Sequence, residues 1–407
     1  MPINHLYDTW ICRIRELRPD QRITQIRNFV WLIVGIFHSR SVCLSRVASK
    51  IPGRAKLLSI TRRLGRLLDN PAIRVREWYA PIARDWLETQ LRNLGEIRLI
   101  VDGTKIGFGH QLLIVCLAYR KRAVPIAWTW VKHVRGHSSA DKQLALLDYV
   151  RTLIPGKAAV FLVGDCEFGA VAILRQLDRW HWFYVLRQKS DTGLWFDENS
   201  GWRTFGSFIH KPGQSIWLGH GYLTAKEIYP VNLLVHWKIG EKEPWCLATN
   251  LPDLSMALRY YRIRMWIEEM FGDMKKHGFD LERTMLRHFE RLSRLTLAVA
   301  LLYVWLISVG TRTIRDGLRN MVDRNERRDL SIFQIGLRFI DRCVINDLIF
   351  HVRLCSYLTL YTLLLKQSRN SLLYLFHKYH RQNNQQLKRR RDQHKLHKLA
   401  GCRNHIL

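Results

Sequence analysis

Two aspartates end apolar, β-branched runs: Asp102 in RLIVDGT and Asp165 in VFLVGDCEF. A carboxylate at the end of a buried strand is costly to desolvate, so it must be solvated, paired or bound to a cation. Each alone reads as a turn aspartate beside glycine. Two of them in one sheet, from strands that can be neighbours, could share a divalent cation. More acidic residues lie in YYRIRMWIEEMFGDMKKHGFDLE, Tyr260 to Glu282. At about 100° per residue, a helix sets Tyr261, Arg264, Glu268 and Lys275 within an arc of about 60°, with Trp266, Glu269 and Lys276 pointing elsewhere. A surface pair four residues apart, contributing a few tenths of a kcal/mol, accounts for Arg264 and Glu268. It does not account for Tyr261 and Lys275 beside them.

The elements that must position these residues change along the chain. Up to about Leu94 the pattern is helical and rich in arginine. Within it Val42 to Leu68 has two helical segments around a Pro-Gly break. That outline suits either a helix-turn-helix, presenting Arg54, Lys56, Arg62, Arg63 and Arg66 to DNA, or a plain helical hairpin with a solvated basic face. From Ile97 the texture becomes short apolar strands: three in succession, then a helix, a strand, a helix and a strand. This predicts a mixed α/β sheet, antiparallel first and parallel later. The stretch from Ser190 to Asn250, rich in Gly and Trp, reads as an all-β insertion, and helices resume at Leu254. The predicted organisation is a helical N-terminal DNA-binding region (1–94), an α/β core (95–189 and 251–312), a β-rich insertion (190–250), a C-terminal helical region (313–379) and a basic tail (380–407).

Composition narrows the partners. Lys and Arg number 65 against 34 Asp and Glu, a formal net charge of +31 spread over most of the 407 residues. Such an excess points to a polyanion, since neutralising phosphates releases condensed counterions. The 8 cysteines form no Cys-x-x-Cys pair and read as reduced intracellular thiols rather than zinc ligands or a disulfide framework. No secretory h-region opens the chain, so export is not expected. The apolar run Leu295 to Gly310 is shorter than the about 20 residues of a membrane span and is predicted to be a buried helix, with no membrane partner.

Taken together, Tyr261-x2-Arg264-x3-Glu268-x6-Lys275, LIVDGT and LVGDCEFG resemble the YREK-signature group of DDE transposases of bacterial insertion sequences. All three acidic blocks stand in the family's order, over roughly Val42 to Gly310. The resemblance implies an RNase H-like mixed sheet flanked by helices, with the β-rich insertion before the glutamate helix. It also implies a triad of Asp102, Asp165 and Glu268 holding two Mg2+ or Mn2+ ions, with Tyr261, Arg264 and Lys275 on the DNA backbone. The expected activity is metal-dependent cleavage at transposon ends and strand transfer into target DNA, by a homodimer on DNA in the bacterial cytoplasm, at the nucleoid. A regulator that binds DNA without turnover and a stand-alone RNase H-like nuclease are the rival readings. The sequence departs from the family in one respect. A Trp often follows the signature Arg in relatives; here Met265 does, and Trp266 comes one residue later. Trp195, Trp202, Trp217, Trp237 and Trp245 are the tryptophans of the insertion, and none is singled out as a base-stacking residue. His110, His133, His137 and Glu167 are left outside the triad, and Glu269 is the expected mild control for Glu268.

Overall fold

The computed structural model describes residues 2–107, 109–132, 138–197 and 201–357. His133, His137, Cys402, the tail 380–407 and the last part of the C-terminal helical region lie outside them. Five helices come first: α1 (Pro2–Leu17), α2 (Ile23–Ser39), α3 (Leu44–Ala48), α4 (Leu57–Asp69) and α5 (Val75–Leu94). The break between α3 and α4 falls at the predicted Pro-Gly position, and Arg54, Lys56, Arg62 and Arg66 are exposed while Arg63 is half-buried. Gly95, at φ 74°, closes α5 in the left-handed conformation that glycine adopts without a Cβ clash.

The sheet follows as β1 (Glu96–Ile106), β2 (His110–Tyr119), β3 (Arg122–Lys132), then α6 (Ala140–Leu153), β4 (Ala159–Gly164), α7 (Val171–Arg179) and β5 (Phe183–Gln188). Their order is β3-β2-β1-β4-β5, with β1 antiparallel to β2 and parallel to β4, and β4 parallel to β5. The antiparallel start and parallel continuation are those predicted from the order of strands and helices, and the arrangement is the RNase H-like one that the family resemblance implies. The central strands read as continuous apolar runs because both faces are covered.

The insertion contributes β6 (Gly193–Trp195), β7 (Arg203–Thr204), β8 (Ser215–Leu223), β9 (Tyr229–His236) and β10 (Trp245–Thr249). These strands do not form a separate sheet. β10 pairs antiparallel with β5, and the order continues β10-β9-β8-β6-β7, giving one ten-stranded sheet. Asn250 locks this junction: its side chain accepts from the Tyr184 N–H at 3.0 Å and donates to the Trp182 carbonyl at 2.9 Å. The chain then enters α8 (Leu254–Tyr261), capped by Asp253, and α9 (Trp266–Met274).

The apolar run predicted to be a buried helix lies in α10 (Phe289–Arg315), which packs on β3 and on α2, α4, α5 and α11 (Ile332–Ile345). It is long and apolar enough to cross a membrane, and its apolar window is 89% buried inside the protein. Where α10 and α11 cross, a Cβ on Gly310 would stand 1.9 Å from the Ile332 carbonyl oxygen. Only glycine permits that approach.

Candidate active site

Register brings the two aspartates together. Val101 pairs with Gly164 in the parallel β1–β4 ladder, so the next residues, Asp102 and Asp165, emerge side by side at the C-terminal edge of the sheet. The neighbouring glycines make room for this. A Cβ on Gly103 would lie 2.3 Å from Gln111 Nε2, and one on Gly164 would lie 2.8 Å from a Val101 methyl. Gln111, passing over Gly103, donates to both carboxylate oxygens of Glu167 at 3.1 and 2.8 Å. Ser138 adds its N–H at 2.8 Å and its hydroxyl at 2.5 Å. Glu167 is therefore spent on fastening the turn after Asp165.

Asp102 is buried, and its Oδ1 accepts from the Gly103 N–H at 2.7 Å. Burial raises its carboxyl to about 7; Arg264 opposes that shift and Glu268 adds to it. Arg264 Nη1 donates to Asp102 Oδ2 at 3.0 Å and to Glu268 Oε1 at 3.4 Å, joining the first and third acidic blocks through one guanidinium. Burial alone would lower Arg264, but Tyr261, Asp102, Asp165 and Glu268 together raise it. Asp165 has Arg187 Nη1 at 3.8 Å, too far to hydrogen-bond, and its Oδ1 is buried without a hydrogen-bond partner. Arg187, on β5, also bonds Glu243 at 3.1 Å. Sequence spacing did not single it out, because β5 reaches Asp165 only through the parallel pairing.

The single helix face expected for Tyr261, Arg264, Glu268 and Lys275 is not what forms. α8 ends at Tyr261, residues Arg262–Met265 make a 3-10 turn, and α9 ends at Met274. A 3-10 turn advances about 120° per residue instead of 100° and so changes the phase of the face. Tyr261 consequently turns into the interior, edge-on to Trp245 at 4.9 Å, with its hydroxyl buried and unpartnered. Lys275 lies past the last helical residue and binds Glu282 at 2.8 Å. Met270 is buried, Trp266 is half-buried, and Met265 is exposed beside Arg264. Glu268 is half-exposed at the site, whereas Glu269 faces away and pairs with Arg122 at 3.0 Å. His110 packs edge-on against Phe289 rather than joining the carboxylates.

Among the described residues no three His, Cys, Asp or Glu side chains converge closely enough to hold a metal ion unaided. Two strand-end aspartates and one helix glutamate make an oxygen-only set of the kind suited to a hard cation. The orphaned Asp165 oxygen and the costly burial of Asp102 both mark a place where a cation would be stabilising.

A comparison with curated proteins gives no match. Among solved structures, the chain is similar to the piggyBac transposase synaptic complex with hairpin DNA, determined by cryo-EM. The likeness is loose: a TM-score of 0.39 and 11% identity, over 92% of this chain and 82% of that one. Residues 95–305, slightly more than half of the chain, match the family described as the transposase DDE domain. That span runs from β1 through both aspartates and Glu268 into α10, and the chain is a member of the DDE transposase family.

Proposed function

We propose that this transposase performs cut-and-paste DNA transposition with Asp102, Asp165 and Glu268 as its catalytic carboxylates, and that it belongs to the YREK-signature group. The observation that carries the reading is the β1–β4 register, which sets Asp102 beside Asp165 while Arg264 ties Asp102 to Glu268. These three side chains would hold two Mg2+ or Mn2+ ions. When bound, such ions activate a water or 3′-hydroxyl and stabilise the leaving oxygen of an in-line displacement.

The protein's own groups supply the rest. Arg264 draws Glu268 toward Asp102 and adds positive charge beside the scissile phosphate. Tyr261, buried against Trp245, would meet a phosphate only if DNA binding opened the interior around its hydroxyl, so its part in this reading is to support the turn that carries Arg264. Lys275 steadies the loop after α9 through Glu282, and in this reading it would turn to the DNA backbone when DNA binds. The net charge of +31 and the exposed arginines of α4 support binding to the terminal inverted repeats and to target DNA. Holding two ends at once calls for a homodimer on DNA, and the setting would be the bacterial cytoplasm at the nucleoid.

The test is cleavage and strand transfer of a duplex carrying the repeats that flank the gene, with Mg2+. Asp102→Ala, Asp165→Ala and Glu268→Ala should each abolish both steps while duplex binding persists. Near wild-type turnover by any folded member of that set would remove it from the triad.

A further inference from the structure

The inner face of α4 is anchored. Ile60, Leu64, Leu67 and Leu68 are buried, and the helix packs on α2, α3 and α10. α10 also fixes its far end: Arg294 donates to the Leu68 carbonyl at 2.9 Å and to the Ile73 carbonyl at 3.2 Å, and Arg291 binds Asp69 at 3.1 Å. The outer face is of another kind. Leu58, Arg62 and Arg66 recur every four residues, so they form one row along the helix, and all three are exposed. Leu58 is 59% exposed and its neighbour Leu57 50%. Arg46 on α3, and Lys50, Arg54 and Lys56 on the link into α4, are exposed as well. Among the described residues none of these six cations is in an ion pair, and the chain has no Asp or Glu between Asp20 and Asp69. Asp69 and, on α10, Glu290 are held by Arg291 and Arg294.

Cations left without a partner suit phosphates, but a leucine in the same row calls for an apolar group lying between the phosphates. On duplex DNA that group is the thymine methyl of the major groove, a groove wide enough for an α-helix, and arginine in the row matches guanine O6 and N7 there. We propose that α4 lies in the major groove of the terminal repeat and reads its sequence through Leu58, Arg62 and Arg66, with Arg46, Lys50, Arg54 and Lys56 on the flanking phosphates. This rests on the proposed action at terminal repeats. The link from Ser49 to Lys56 is longer than the three- or four-residue turn of a helix-turn-helix, so α4 is assigned by its surface and not by that motif. From Leu58 to Arg66 the helix rises about 12 Å at 1.5 Å per residue, which covers about three or four base-pair steps.

Full-length protein is titrated in EDTA, so that the DNA stays intact, against a duplex bearing the flanking repeat and a scrambled duplex of the same length. Arg62→Lys and Arg66→Lys keep the charge but lose the planar fork. Each should cut the preference for the repeat about tenfold or more while binding to the scrambled duplex holds. Lys56→Ala should weaken both duplexes alike and lower the salt slope by about one. Replacing one thymine of the repeat with uracil removes its methyl. At one position this should weaken wild type severalfold and leave Leu58→Ala unaffected. An unchanged preference in Leu58→Ala, Arg62→Lys and Arg66→Lys, or an equal loss on both duplexes, would overturn base reading by α4 and leave the triad standing. So would wild-type protein that cleaves the repeat in Mg2+ without preferring it in binding. Wild-type protein that neither prefers nor cleaves the repeat would instead overturn the reading on which the proposal rests.

Discussion

Two arginines build nearly the same device on opposite sides of α9. Arg264 joins the half-exposed Glu268 to the buried Asp102; Arg122 joins the half-exposed Glu269, at 3.0 Å, to the buried Asp273, at 3.1 Å. Burial raises both aspartates to about 7, with the paired arginine offsetting part of that cost. The difference lies in what else is there. Beside Asp102 stands a third carboxylate, Asp165, whereas beside Asp273 stands the fully buried ring of Tyr303. One constellation gathers three carboxylates where the parallel strands end, and the other, closed over by Tyr303, holds two. Adjacent glutamates of identical chemistry are thereby given different work by their neighbours.

The comparison can be broken from either side. The largest effect is expected from Asp102→Asn or Asp165→Asn. Each should reduce strand cleavage well beyond the about 10–100-fold typical of residues that only support a metal ligand, as gel assays in Mg2+ would show. Glu268→Gln should cost about a hundredfold or more in the same assay, while circular dichroism shows the fold intact. On the sealed side, Arg122→Met leaves Asp273 buried and unpaired. A loss of about 3–5 kcal/mol in urea unfolding is expected, with the cleavage rate per folded molecule little changed.

A pH series sharpens the same contrast. The folded-state carboxyl of Asp273, at about 7, lies above its ordinary 3.8. Its stabilising contribution is therefore complete below about pH 4 and is lost as pH rises through 7. Unfolding of wild type and Asp273→Asn, compared from pH 4 to 8, should show wild type losing up to about 4 kcal/mol relative to the variant. The smallest effect is expected from Glu269→Gln: less than about threefold on cleavage, because an exposed pair contributes little.

Much of this was legible in the chain. Short continuous apolar runs ending in Asp102 and Asp165 identify strands, and three strands before a helix predict an antiparallel start. The spacing to Glu268 singles it out from Glu269. What was not legible depends on partners remote in sequence. Nothing around Arg122 or Arg187 announces a carboxylate, because each meets one only after the sheet has formed. The 3-10 turn at Arg262–Met265 escapes periodicity, since four residues of tighter winding leave the surrounding apolar pattern intact while turning Tyr261 inward. The insertion reads as strands, but no alternation of residues states that β10 will lie against β5.

That last pairing has a mechanical consequence. With β10 hydrogen-bonded along β5, and Asn250 and Thr249 tying its end to Tyr184, the outer strands have no linker on which to swing. They form one plate with the edge that carries Asp165. The soft motion of such a plate is twist, so a load applied at β7 travels through backbone ladders to the aspartate instead of being taken up by a hinge.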